Sequence, residues 1–144
     1  MRAEQNNAQR LQRKEAKVTI EEAGSLLMDV CHTASKDAGW HNDLKTGCLR
    51  SPEQNHDLFP TRIALCHSEL SEALEGHRKT LMDDKLPHRP MAEVELADAV
   101  IRIFDLAGAM GYDIGGAIAE KLRFNALRAD HKLESRRAAG GKAY

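Results

Sequence analysis

Apolar residues recur along most of this chain at three- and four-residue intervals, which is the spacing of one face of an α-helix. No segment shows the residue-by-residue alternation that predicts a β-strand. The periodic segments predict four helices: from Thr19 to near Gly39, from Pro60 to about Thr80, from Met91 to Met110, and from Ile114 to about Arg128. We therefore expect an all-α fold, a bundle of four main helices.

Residues that favour helix ends stand at several of these boundaries. Thr19 and Glu22 have the spacing of a capping box, and Pro60 occupies the first-turn position that suits proline. Gly111 is placed to end the third helix, and Asp113 can cap the fourth. The local sequence thus agrees with the boundaries that the apolar pattern suggests.

The apolar stripes indicate which helix faces should be buried. On the first helix the stripe consists of Ala23, Leu26, Leu27, Val30 and Ala34, and on the second of Ile63, Cys66, Leu70, Ala73 and Leu74. The third helix is apolar almost all round, because only Asp98, Arg102 and Asp105 are charged between Leu96 and Met110. We expect neighbouring helices, or those of another subunit as well, to enclose it.

The segments outside the helices set the domain organisation. Residues 41–59 contain Gly47, Pro52 and little periodicity, which predicts a long loop of the kind that often carries function. Residues 83–90, with two prolines, predict a second loop. We expect residues 1–17 to form a flexible basic arm, residues 18–130 to form the folded domain, and residues 131–144 to form a loose tail.

Composition and charge argue against several classes of protein. The 144 residues carry a formal net charge of -1, so no overall field attracts nucleic acid, and we do not expect nucleic-acid binding. No apolar run reaches the length of a membrane span, and no membrane association is expected. The cysteines Cys31, Cys48 and Cys66 lack the spacing of a zinc site or a disulfide framework, which favours a reduced, cytoplasmic compartment.

Two acidic motifs carry the main functional signal. Glu69 and Glu72 lie about one turn apart in the second predicted helix, and Glu95 and Asp98 repeat that spacing in the third. Either pair alone could be an ordinary solvated helix face, but the third helix is otherwise suited to burial. Buried carboxylates need a counter-charge or a metal ion. Four carboxylates on two facing helices could hold Mg²⁺ or Mn²⁺ through oxygen ligands.

The fourth predicted helix offers the complementary charge. Lys121, Asn125 and Arg128 fall within a narrow arc of that helix, so one edge would present an ammonium, an amide and a guanidinium. Such an edge suits a polyphosphate, because arginine provides a bidentate fork and lysine a point charge. The alternative is an exposed face whose cations favour the C-terminal end of the helix dipole.

Taken together, these residues resemble a known family. The ordered set Glu69-x-x-Glu72, Glu95-x-x-Asp98 and Lys121-x-x-x-Asn125-x-x-Arg128 is similar to the signature of the MazG-like, all-α nucleoside triphosphate pyrophosphohydrolases. The resemblance covers roughly Trp40 to Arg128. The segment from Ala64 to Lys79 is similar to small phage-type members, among them the MazZ-like enzymes that act on (d)GTP.

The resemblance implies a metal-dependent nucleotide diphosphatase that converts a (d)NTP, with (d)GTP as the candidate substrate, to (d)NMP and pyrophosphate. It implies that the four acidic residues bind Mg²⁺, with Mn²⁺ able to substitute, and that the fourth-helix set contacts phosphates. It also implies a homodimer or homotetramer with active sites completed across subunits, in the host cytoplasm if the protein is phage-encoded. By its chemistry one carboxylate, with Glu72 as the candidate, could orient or deprotonate the attacking water.

Four further residues are candidates for nucleobase binding. Similar family members place residues from the segment after the first helix around the base, where Trp40 could stack and Asn42 could form hydrogen bonds. Arg102 and Asp105 continue the acidic stripe, and Asp105 could accept from the N1 and N2 donors of guanine. The alternatives are that Trp40 is a core anchor, and that Arg102 and Asp105 form an ion pair three residues apart.

Two other classes of protein remain open. His56 and Asp57 could be the His-Asp pair of an HD-type metal phosphohydrolase, completed by His32 or His41 and a distant Asp. That site needs His56 and Asp57 on a helix, and Pro60 and the neighbouring helix breakers place them in a loop. A non-enzymatic helical module could instead bind nucleic acid through the basic arm. Removal of divalent metal by EDTA would abolish the hydrolysis and spare arm-mediated binding.

Overall fold

A computed structural model of the chain describes residues 18–142. Its helices are α1 (Ile20–Asp37), α2 (Pro52–Asp57), α3 (Phe59–Lys79), α4 (Met91–Met110), α5 (Ile114–Leu127) and α6 (Leu133–Arg137), with a 3-10 turn at Ala129–His131. Within this range the only extended pairings are isolated bridges, from Asn42 to Leu49 and from Met82 to Pro90. The all-α prediction is confirmed. The predicted arm at residues 1–17 lies outside the described residues, as do residues 143 and 144 of the predicted tail.

The four predicted main helices correspond to α1, α3, α4 and α5. At the start of α1 the predicted capping box is present: the Glu22 amide donates to Thr19 Oγ1 at 3.1 Å, and the Thr19 amide donates to the Glu22 carboxylate at 2.8 Å. The end of α4 is also as predicted, because Gly111 adopts a φ of 67° that glycine accepts without strain. Local capping signals were therefore sufficient to place these helix ends.

The prediction of a loop throughout residues 41–59 was wrong for its second half, where α2 forms. Ser51 caps α2 by accepting from the Gln54 amide, and the Gln54 side chain accepts from the Ser51 amide. Pro52 stands in the first turn, where its missing amide hydrogen costs no hydrogen bond. Six residues are too few to show a helical period, so the capping box was the sequence signal for this helix.

The chain divides into two compact units. Among the described residues the first comprises Ser25–Ile114, and the second comprises residues 18–24 together with residues 115–142. In the second unit Gly24 and Gly115 allow a close backbone approach, because a Cβ atom on Gly24 would lie 2.5 Å from the Gly115 Cα. Arg123 and Glu21 form an ion pair in the same unit at 3.2 Å.

In the first unit α3 packs against α4. Cys66 and Ala73 of α3 are buried, as are Ala99 and Phe104 of α4. Small side chains allow the two helices to approach closely, so acidic residues on their facing sides come within reach of one another. This packing positions the candidate site.

The predicted apolar stripes are buried only in part. Leu26, Leu27 and Val30 of α1 are exposed, as are Ile63, Leu70 and Leu74 of α3. On α4 the exposed apolar residues are Leu96, Val100, Ile101 and Ile103, so the described residues of one chain leave this helix partly uncovered, and its enclosure by another subunit as well stays a prediction. Burial in one chain was therefore overestimated from periodicity, which does not distinguish an internal core from a face that another molecule covers.

No helix among the described residues is long and apolar enough to cross a membrane.

Candidate active site

Three acidic side chains meet between α3 and α4. Glu69 of α3 and Glu95 of α4 are buried, Asp98 is exposed one turn further along α4, and an oxygen atom from each lies within 4.8 Å of the others. We call Glu69, Glu95 and Asp98 the acidic cluster. Its hard oxygen donors and close spacing fit a divalent cation such as Mg²⁺ or Mn²⁺, which these residues could hold together.

The electrostatics of the acidic cluster show an excess of negative charge. The pKa of Glu95 is raised to about 7, first by burial and then by a hydrogen bond with Glu69 and the charges of Glu72, Glu69 and Asp98. A proton on Glu95 donates to Glu69 and reduces the repulsion between the carboxylates. A divalent cation would relieve the same repulsion more completely, so this donor set fits a metal ion.

Glu72 lies beside the acidic cluster and is not one of its three members. It lines the same cavity of about 450 Å³, and its carboxylate accepts from the Ser68 hydroxyl at 3.3 Å. It is exposed, and its charge acts on Glu95. Lys85, from the loop between α3 and α4, lines this cavity too and adds a cation near the carboxylates.

Arg102 binds the acidic cluster directly. Its Nε donates to Glu69 Oε1 at 2.6 Å, across the interface of α3 and α4. The alternative that Arg102 pairs with Asp105 three residues later is therefore wrong, because Arg102 pairs with Glu69 while Asp105 accepts from His32 and His41. Arg102 thus offsets part of the negative charge of the cluster.

Asp105 is the centre of a second polar group, which also involves α1 and the segment after it. Asp105 Oδ1 accepts from His32 Nδ1 at 2.9 Å and from His41 Nε2 at 2.7 Å. His41 is only 3% exposed, and the two imidazole rings meet edge to face at 4.7 Å. His32 also packs so closely on α4 that a Cβ atom on Gly108 would lie 2.6 Å from its ring.

Arg62 fixes the protonation of this group. Its Nη2 donates to His41 Nδ1 at 3.1 Å and to Asn55 Oδ1 at 3.1 Å. Since a guanidinium only donates, His41 Nδ1 carries a lone pair and Nε2 carries the hydrogen that Asp105 accepts. Burial lowers the pKa of His41, in agreement with a neutral ring, although the hydrogen bond to Asp105 opposes that effect. We call His32, His41, Arg62 and Asp105 the histidine network.

The histidine network is a poor metal centre despite its composition. His32, His41 and Asp105 have ligand atoms within 4.8 Å of one another. However, a metal ion at His41 Nε2 would require that nitrogen to lose its hydrogen while Nδ1 still accepts from Arg62, and neutral imidazole has only one such lone pair. The three side chains are instead satisfied by hydrogen bonds.

A second cavity, of about 370 Å³, lies between the acidic cluster and the histidine network and is lined by residues of both. It shares Asp98 and Arg102 with the cavity of the acidic cluster, and its remaining lining residues are Ser35, Trp40, Arg50, Leu58, Thr61, Arg62, Leu65, Ile101 and Asp105. Trp40 is 75% exposed, so it is not the core anchor that was the alternative interpretation. Arg50 donates to the Trp40 carbonyl at 2.9 Å and holds the start of this segment. We call this space the Trp40 cavity.

Among the four candidates for base binding, Trp40, Arg102 and Asp105 line the Trp40 cavity. Asn42 is not among its lining residues, because the Asn42 amide donates to the Gly47 carbonyl at 2.8 Å and stabilises the following turn. Asn42 therefore has a structural role in this turn, and its role in base recognition stays a prediction.

The predicted phosphate-binding residues belong to the second unit. Arg128 directly follows α5, and its guanidinium donates twice to Asp130, at 2.9 and 2.6 Å. The Lys121 ammonium lies 5.0 Å from the centre of the Phe124 ring. Asn125 has a buried carbonyl oxygen without a described hydrogen-bond partner. Their role in binding phosphate stays a prediction.

The HD-type alternative changes on one point. His56 and Asp57 do lie on a helix, α2, contrary to the prediction of a loop. They line an apolar depression with Phe59, Pro60, Met110 and Tyr112, and within residues 18–142 neither belongs to a group of three closely spaced metal ligands. The objection that His56 and Asp57 lie in a loop is therefore removed, but α2 does not bring them into a group of metal ligands.

Sequence reasoning did not identify Arg62, Lys85 or the joint role of His32 and His41. Arg62 had one signal, because it is the single charged residue between Phe59 and Cys66, just before the acidic motif. The contacts of His32 and His41 with Asp105 span more than 60 positions, and no local pattern predicts such a pair.

Comparison with known protein families, curated proteins and solved structures finds no match to this chain.

Proposed function

We propose that this protein is a divalent-metal-dependent nucleoside triphosphate pyrophosphohydrolase that converts a (d)NTP to (d)NMP and pyrophosphate. The observation that carries the proposal is the acidic cluster, in which three carboxylates with mutual repulsion lie within 4.8 Å on two packed helices. The adjoining Trp40 cavity supports it further, because it provides an aromatic surface and polar groups beside the cluster. The MazG-like arrangement of helices and acidic residues remains part of the proposal.

Each residue of the site has a distinct task in this reaction. Glu69, Glu95 and Asp98 would hold Mg²⁺ or Mn²⁺, which neutralises phosphate charge and acidifies water. Glu72 lines the same cavity without belonging to the cluster, so it is the best-placed residue to orient the attacking water and accept its proton. The water oxygen forms a bond to the α-phosphorus, the bond from that phosphorus to the bridging oxygen breaks, and pyrophosphate leaves.

The Trp40 cavity is the proposed site for the nucleobase. The exposed indole of Trp40 offers a stacking surface, and Leu65 and Ile101 add apolar walls. Asp105 already accepts two hydrogen bonds on Oδ1, so only Oδ2 is open to a donor from the base. A preference for guanine, and with it (d)GTP, would use that oxygen and stays a prediction.

Phosphate binding by Lys121, Asn125 and Arg128 completes the proposal. The bidentate pair of Arg128 with Asp130 has a direct consequence, because phosphate would have to compete with Asp130 for the same guanidinium. Lys121 has no such carboxylate partner within residues 18–142, and we therefore expect Lys121→Ala to raise KM more than Arg128→Ala.

A homodimer or homotetramer in the cytoplasm is proposed as the working form. Leu70 and Leu74 of α3 and Leu96 and Val100 of α4 expose apolar side chains on the two helices that carry the acidic cluster. Contact with a second copy would remove these side chains from water. Light scattering of the purified protein measures the mass of the particle in solution and so tests for a dimer or a tetramer.

One experiment tests the reaction itself. The protein is incubated with a panel of NTPs and dNTPs in Mg²⁺ or Mn²⁺, and monophosphate, diphosphate and pyrophosphate are separated and measured. We expect equal amounts of monophosphate and pyrophosphate, no diphosphate, and complete loss of activity in EDTA. Release of inorganic phosphate with diphosphate, or unchanged turnover in EDTA, would contradict the proposal.

A further inference from the structure

Arg102 occupies the junction between the two cavities of the first unit. Only Asp98 and Arg102 are shared between the linings of the acidic-cluster cavity and the Trp40 cavity. Asp98 repels anions, so Arg102 is the one shared residue that can attract them. Any ligand that extends from one cavity into the other must pass this guanidinium.

The guanidinium of Arg102 is oriented and yet available. Its Nε donates to Glu69 Oε1 at 2.6 Å, which fixes the plane of the group. Its two Nη atoms make no hydrogen bond within residues 18–142, and the side chain is 42% exposed. A planar fork whose orientation is already fixed loses less conformational entropy when it binds an anion.

We propose that Arg102 binds the α-phosphate of the nucleotide, the phosphate that is attached to the sugar. This inference rests on the proposed function, which places the base in the Trp40 cavity and the metal ion, with the water that attacks the α-phosphorus, at the acidic cluster. The α-phosphate joins those two parts, so it must lie at the junction that Arg102 lines. The two Nη groups offer parallel donors that match two oxygens of one phosphate.

This role differs from the base contact that the sequence suggested for Arg102. A guanidinium already bound to a carboxylate of the acidic cluster lies on the phosphate side of the cavity, beside Glu69 and Asp98. The base would then be recognised by Trp40 and the residues of the histidine network that line the same cavity. Glu69 acts on the phosphate indirectly, as a positioning residue for Arg102.

A binding experiment without metal separates the two roles. Each of the four common 2′-deoxynucleoside 5′-monophosphates and its matching 2′-deoxynucleoside is titrated calorimetrically into the wild-type protein and Arg102→Met, in EDTA. We expect Arg102→Met to weaken monophosphate binding by about tenfold to a hundredfold, because a hydrogen bond to a charged group is lost, and to leave nucleoside binding unchanged. Arg102→Lys keeps the positive charge but lacks the planar pair of donors, so its affinity for the monophosphate should lie between those of the wild type and Arg102→Met.

Arg89→Met is the matched control. Arg89 also pairs with a glutamate of α4, Glu93, at 2.9 Å, but it lines neither cavity. This variant should bind monophosphates and nucleosides like the wild type. If it loses monophosphate affinity to the same degree as Arg102→Met, the effect is one of overall charge and the proposal is wrong.

Three other results would overturn the proposal: equal weakening of nucleoside and monophosphate, no weakening of either, or a wild-type protein that binds monophosphate no better than nucleoside. The first would return Arg102 to base recognition. Since Arg102→Met could impair folding, its melting temperature is compared with that of Arg102→Lys, and the comparison of monophosphate with nucleoside is then made on Arg102→Lys. These measurements need no turnover, so failure of the proposed hydrolysis would be seen separately, as absence of pyrophosphate in the substrate panel.

Discussion

Two groups of side chains on α4 have opposite charge balance, although Asp98 and Asp105 lie only about two helical turns apart. Around Asp98 the acidic cluster brings three carboxylates together, and one guanidinium, from Arg102, pairs with one of them. Around Asp105 the histidine network gives a single carboxylate two N–H donors and a nearby guanidinium. The first group carries more negative than positive charge, whereas the second is satisfied by its own hydrogen bonds.

The acidic cluster and the histidine network show how a ligand site differs from a structural polar cluster. Both groups have the composition of a metal site and similar spacing. They differ in what a cation would change: it would relieve repulsion in the acidic cluster and disrupt existing hydrogen bonds in the histidine network. Composition and distance alone therefore do not separate the two cases, and the protonation of the partners does.

The largest expected effect is on turnover. Glu95→Gln should lower the rate of pyrophosphate release by about a hundredfold or more, because it removes a ligand from the acidic cluster. Glu93→Gln, two residues earlier on the same helix but exposed and paired with Arg89, should keep the rate within about twofold of the wild type. Glu69→Gln, Glu72→Gln and Asp98→Asn should behave like Glu95→Gln. Unchanged turnover in two of these four variants would remove the acidic cluster from the mechanism.

The next effect is on stability: the free energy of unfolding should fall when Asp105 is replaced, and it should not fall when Asp98 is replaced. Asp105→Ala leaves the N–H groups of His32 and His41 without an acceptor, so the free energy of unfolding should fall by about 2–3 kcal/mol. Asp98→Ala removes one of several repelling charges, so the metal-free protein should be as stable as the wild type or more stable. Urea unfolding in EDTA measures both. A large loss of stability in Asp98→Ala would mean that the acidic cluster is held by structural ion pairs.

Stability should also depend on pH in opposite ways in the two groups. Glu95 has its pKa raised from 4.5 to about 7, so the folded protein keeps a proton that the unfolded chain releases. Between those values the metal-free protein should therefore lose stability as pH rises. The melting temperature in EDTA should fall by a few degrees across this range, and Mg²⁺ or Glu95→Gln should remove the fall. If the melting temperature of Glu95→Gln still falls with rising pH, another titrating group causes the fall.

His41 contributes the opposite slope. Its pKa is lowered by burial from the ordinary value of 6.5, so the unfolded chain binds a proton that the folded protein excludes. Its contribution to stability is present above about pH 6.5 and is lost as the pH falls below that value. In Glu95→Gln, where the first slope is absent, the melting temperature should decrease on acidification from pH 7. A constant melting temperature would show that protonation of His41 does not disturb the histidine network.

The smallest expected effect concerns the cavity beside the histidine network. Trp40→Ala should raise KM by about fivefold to tenfold for all bases alike, because it removes a stacking surface that does not distinguish them. Stability should not change, since the indole is 75% exposed. Steady-state kinetics on several dNTPs measure the change in KM, and a thermal melt measures the stability. A change confined to a single base would indicate that Trp40 selects the base and does not merely stack on it.

The class of fold, the four main helices and the acidic stripe of α4 could all be predicted from the amino-acid sequence. Helical periodicity and capping are local, so a window of a few residues holds the information, as Thr19 with Glu22 and Gly111 show. The same periodicity placed Glu95 and Asp98 on one side of α4. The hypothesis of a four-carboxylate metal site required the acidic pairs of α3 and α4 to face each other, and three of the four residues, Glu69, Glu95 and Asp98, do meet.

The partners of the charged residues, in contrast, depend on how the helices pack against one another. Arg102 lies three positions from Asp105 but binds Glu69, 33 positions away, and Asp105 binds His32 and His41, 73 and 64 positions away. A charged side chain takes the partner that helix packing brings to it, and the pattern of one helix does not encode that choice. Packing likewise left Leu70, Leu74 and Leu96 exposed, because periodicity specifies that a face is apolar and not what covers it.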